Sequence, residues 1–87
     1  MYLQIGSDMA VREKSIIGIF DLDNVSYEKR TREFLSRAEK DGSVVAVTDE
    51  LPRAFVLTSE FGMERVYLTS LSSRALGQRA ESRRRSF

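Results

Sequence analysis

A chain of 87 residues with a formal net charge of +1, 41% hydrophobic and 31% charged, has the balance of one small soluble domain and too little apolar surface for two cores. With no cysteine and no histidine it excludes disulfides, thiolate nucleophiles and sulfur-built zinc sites. It also lacks the one side chain that titrates unperturbed near neutrality; enzymes can work without either residue, but the prior for catalysis falls, and a non-enzymatic protein without cofactor or metal is the expectation.

No run approaches the roughly 20 apolar residues of a membrane span, and the start of the chain lacks the basic and apolar segments of a secretory signal. A cytoplasmic location with no membrane partner is the expectation. Residues 2–5 form the first strand candidate, and Gly6, Ser7 and Asp8 are turn residues that return the chain through 9–11 as its partner. Arg12, Glu13 and Lys14 make a charged corner before Ile16, Ile17, Gly18, Ile19 and Phe20, the most apolar run, which reads as a central strand over 16–21. Gly18 leaves a gap there for a close neighbour.

Residues 21–24 break that strand, and Ser26 is a helix cap. The spacing of Tyr27, Thr31, Phe34, Leu35 and Ala38 predicts a helix over about 27–41, with Glu28–Arg32 and Glu33–Arg37 as ion pairs on its wet side. Gly42 ends it, since glycine accepts the left-handed backbone of a helix terminus. A strand over 43–47 and a polar turn at 48–50 follow. The stretch 51–71, LPRAFVLTSEFGMERVYLTSL, reads as a β-hairpin reversing between Glu60 and Gly62, its start set by Pro52. Phe55 and Leu57 point to one side of its first strand, Ala54, Val56 and Thr58 to the other, so this strand belongs inside a sheet. Ser72 or Ser73 caps a last helix with Ala75, Leu76 and Ala80, and SRRRSF is read as a frayed end.

The order β-β-β-α-β-β-β-α predicts an α+β fold, a small mostly antiparallel sheet of about six short strands in one domain over 1–80 with a basic tail at 81–87. One long helix covers only one face of such a sheet. Leu76 and two alanines are a thin lid for the other, which points to self-association.

Charge is uneven: residues 1–73 hold nine Lys and Arg against twelve Asp and Glu, and residues 74–87 hold five Arg against one Glu. Arg74, Arg79, Arg83, Arg84 and Arg85 suit backbone phosphates, or a solvated terminus. Arg12, Lys14 and Arg53 are ordinary surface charges singly, and a repeated basic surface if they converge at a subunit boundary. Phe20, Phe34 and Phe55 lie in apolar runs, which suits core packing better than base stacking.

The string IIGIFDLDNV resembles the first motif of the haloacid dehalogenase phosphatases. The chain has no room for the remaining phosphatase sheet, so Asp21, Asp23 and Asn24 are read as a strand-ending turn and helix cap.

Taken together, MYLQIGSD, IIGIFDLDNV, KRTREFLSRAEKDG, LPRAFVLT and VYLTSLSSRAL, in that order over about residues 1–79, resemble the RemB-type bacterial extracellular matrix regulatory proteins. The resemblance implies a small cytoplasmic regulator related to the RemA branch, which is known for DNA binding, ring-like oligomers and activation of biofilm matrix operons. That branch has paired arginines where this chain has Glu50 and Leu51, and an arginine before the first central strand where this chain has Lys14 and Ser15; Arg53 matches a basic family position. The expected function is a self-associating transcriptional regulator that contacts double-stranded DNA through Arg12, Lys14 and Arg53 and through Arg74, Arg79 and Arg83 to Arg85. The alternative is an oligomeric adaptor that binds a paralogous regulator or another protein without touching DNA.

Overall fold

The computed structural model describes residues 1–22 and 29–85, with side chains described as far as residue 80. In chain order the elements are β1 (Tyr2–Gln4), β2 (Ala10–Arg12), a 3-10 turn (Glu13–Ser15), β3 (Ile16–Asp21), α1 (Lys29–Lys40), β4 (Val44–Ala46), β5 (Ala54–Glu60), β6 (Met63–Thr69) and α2 (Ser73–Arg85). This is the α+β order that the sequence predicts, with six strands in two sheets among the described residues. The Ser26 cap, the start of the helix at Tyr27 and the Asp23–Asn24 turn lie outside those residues.

The main sheet runs β3-β5-β6-β4. β5 lies inside it as expected, with Ala54, Phe55 and Val56 all buried and neighbours on both sides. β3 corrects the sequence reading: it is an edge strand, paired antiparallel to β5 alone among the described residues. Its register slips between Ile16 and Gly18, opposite Thr58 and Leu57. That bulge places Ile16 and Ile19, three residues apart, against the same core and turns Ile17 outward to 57% exposure. Strict alternation cannot foresee this, because one extra residue reverses the side on which every later side chain falls. The expected close neighbour of Gly18 is Phe20: a Cβ on Gly18 would stand 2.8 Å from its ring, and that ring stacks on Phe55 at 4.8 Å.

β4 pairs parallel to β6, so α1 is the crossover that carries the chain from one edge of the sheet to the other. Its apolar stripe sets Phe34, Leu35 and Ala38 against Phe55, Val66 and Leu68. Gly42 closes it at φ +74, with the Ser43 amide donating to Ala38 and the Gly42 amide to Glu39, the bond pair of a Schellman terminus. The expected Glu33–Arg37 pair is replaced by Lys29–Glu33 at 4.0 Å, one helical turn earlier.

The opposite face of the sheet is covered within the chain. The β1–β2 ribbon brings Leu3, Ile5 and Val11, and α2 brings Leu76, onto Ala54 and Val56. The thin lid suffices because the ribbon supplies most of the cover. The bare sheet face that the sequence reading takes as the reason for self-association is therefore not a feature of this fold. Ser72 is the cap of α2, its hydroxyl accepting from the Ala75 amide at 3.1 Å. The helix continues to Arg85, so the arginine run at 83–85 lies on helical backbone and not in a frayed end.

Gly6 serves close approach between these layers. A Cβ there would clash with Cγ1 of Val47, and Val47 is held by its amide bond to Leu68 at 2.9 Å.

Candidate functional site

β5 provides the axis along which the candidate cations are placed. Arg53 stands just before its first residue, locked by two backbone bonds of 2.8 Å: its amide donates to the Thr69 carbonyl, and its carbonyl accepts from Leu22. Pro52, which has no amide to donate, precedes it and leads the chain into the strand. Arg74 lies in the first turn of α2, a few residues beyond Thr69, and both arginine side chains are exposed. These two share one end of the sheet.

Arg12 and Lys14 occupy the other end. The 3-10 turn that carries Lys14 leads into Ile16, which pairs with Thr58 towards the far end of β5. Arg12 ends β2, and its guanidinium meets the Glu60 carboxylate at 2.9 Å. The two side chains are 43% and 39% exposed, so water screens the pair and it contributes at most about 1 kcal/mol. Nothing in the local sequence pairs these residues, which stand 48 positions apart.

Arg79 is committed differently. Its guanidinium donates to the Gln4 carbonyl at 3.1 Å and ties α2 to β1 at the rim of a cleft of about 750 Å³ between that helix, the β1–β2 turn and loop 47–50. Arg83, Arg84 and Arg85 continue on the helix beyond it. A single chain thus holds its candidate cations in separate groups: Arg53 with Arg74 at one end of β5, Arg12 with Lys14 at the other, and Arg79 leading to the run at the end of α2. The two groups at the ends of β5 do not converge on one patch. Asp21, the first acid of the phosphatase-like string, ends β3 on the surface, and Asp23 lies outside the described residues.

Sequence reasoning missed two further surface features. Leu51 is 87% exposed beside Pro52, and Phe61 is 90% exposed at the hairpin turn, although the sequence shows both only as parts of an apolar hairpin. Among the described residues no helix is long and apolar enough to cross a membrane.

No protein-family model matches the chain. It is similar to Extracellular matrix regulatory protein B of Bacillus subtilis (strain 168), with 31% identity over 81 residues that span 93% of this chain and 91% of that protein.

Proposed function

Because the chain belongs to the extracellular matrix regulatory protein B family, we propose that it is a small non-enzymatic transcriptional regulator, cytoplasmic and self-associating, that binds double-stranded DNA through a basic surface repeated around the oligomer. The name of the relative supports the regulatory role. The observation that carries the DNA contact is the placement of exposed Arg53 and Arg74 at one end of β5 and of Arg12 and Lys14 at the other. A few phosphate contacts per subunit hold DNA weakly, whereas several subunits on one duplex multiply the contacts and raise the effective concentration. No residue type or motif in the sequence announces base-specific readout, so preference among sequences falls to DNA shape.

A labelled duplex titrated with the protein at low and moderate salt, read by fluorescence anisotropy, tests this. Affinity is expected to fall steeply with salt, and Arg53→Glu to weaken it roughly tenfold or more at low salt. Absence of binding at low salt would remove the DNA contact. The second reading, an adaptor that binds a paralogous regulator or other protein without DNA, is favoured by exposed Glu50 and Leu51, an acid and a bare apolar group beside Arg53. Recovery of one stoichiometric protein partner free of nucleic acid would support it.

A further inference from the structure

Phe61 and Leu51 are the two most exposed large apolar side chains among the described residues, and they stand at opposite ends of the seven-residue strand β5, roughly 20 Å apart. Phe61 is also a poor choice for its position. With φ +53 at Phe61 and +77 at Gly62, the two-residue loop has the backbone of a type I′ turn, in which Asn-Gly is preferred and an aromatic residue is strained. The chain accepts that strain to hold a large ring in water, with Met63 59% exposed beside it. Such a local conflict is expected where the ring has a partner.

At the other end of the strand, Leu51 and Pro52 form one wall of a cleft of about 420 Å³ whose other walls include Leu35, Val44 and Leu68. Its one charged lining residue is Glu39. The exposed Arg65, two residues beyond Met63 on β6, offers that carboxylate a cation. We propose that the hairpin tip of one copy, Phe61 with Met63, docks in the Leu51–Pro52 cleft of a second copy.

Tip and cleft are different surfaces, so the contact is head to tail. Every copy has one of each to offer, and successive contacts build a ring or an open chain. The same contact carries Arg12 and Lys14 at the tip end of one copy towards Arg53 and Arg74 at the cleft end of the next. It thereby assembles across a boundary the basic surface that one chain holds in parts. This inference rests on the self-association in the proposed function and names the surface responsible.

Light scattering at micromolar concentration on the full chain, on Phe61→Asn and on Leu51→Asp tests it. Asparagine suits the turn better than phenylalanine, and Leu51 is nearly fully exposed, so both variants retain the fold, as an unchanged far-UV circular dichroism spectrum checks. Each variant alone is expected to be monomeric. Mixed in equal amounts they are expected to form a dimer of one of each, because the mixture holds one intact tip and one intact cleft. A mixture that stays monomeric, or variants that keep the mass of the parent oligomer, would overturn the contact while self-association stands. A monomeric parent chain would overturn both readings and leave the tip and cleft to a different protein.

Discussion

Thr69 joins three segments through one residue. It is 1% exposed; its Oγ1 donates to the Ile5 carbonyl and accepts from the Leu71 amide at 3.1 Å, while its own carbonyl accepts from Arg53. Valine has the same shape but leaves the buried Ile5 carbonyl and the half-buried Leu71 amide without that partner, at a cost of about 1–3 kcal/mol. Thr69→Val is therefore expected to lower the urea midpoint at unchanged slope, in contrast to the small effect of threonine-to-valine changes on exposed strand positions. The sequence shows Thr69 only as the polar end of a strand. Its partner at Ile5 is 64 positions away, which no local pattern reveals. Gly6 has the same history: it reads as a turn glycine, yet the structure uses its missing side chain to seat Val47.

Among the elements, α2 changes most between expectation and structure. A helix with one leucine and two alanines is too thin a cover by itself, but Leu76 is fully buried because β1 and β2 supply Leu3, Ile5 and Val11 around it. Leu76→Ala is expected to cost about 2–5 kcal/mol, a large share of the stability of a small domain, and to loosen α2 before the sheet. Hydrogen exchange checks the order: α2 amides should lose protection first, and an unchanged exchange pattern would mean that the helix is anchored elsewhere. Helix α1 departs less from expectation, since its stripe is legible at period 3.6 and its terminus in Gly42. The edge position of β3 is not legible, because an apolar run looks alike in the middle of a sheet and at an edge that stacks Phe20 on Phe55.

At the scale of the molecule, Arg53 with Arg74 and Arg12 with Lys14 stand at the two ends of β5, and the proposed head-to-tail contact would bring the two groups together. If the head-to-tail interface supplies the DNA surface, Phe61→Asn should both weaken binding and flatten its salt dependence, although it removes no charge. The slope of log affinity against log salt is expected to shrink by about 0.9 for each phosphate that the protein no longer neutralises. Retention of the full slope in a monomeric variant would show that one subunit suffices.

The family was legible only as the resemblance of several motifs taken in order. Composition and pattern by themselves determined the fold class: an α+β order of elements, the buried character of β5 and the C-terminal end of α1. These follow from local propensity and periodicity, which each segment carries in its own residues. Tertiary structure decided the strand order, the bulge in β3, the cover of the second sheet face by β1, β2 and α2, and the commitment of Arg12 to Glu60 and of Arg79 to Gln4. The physical reason is distance along the chain. Each of those outcomes joins residues whose separation is too long for any repeating pattern to encode, so they emerge only when the layers close on one another.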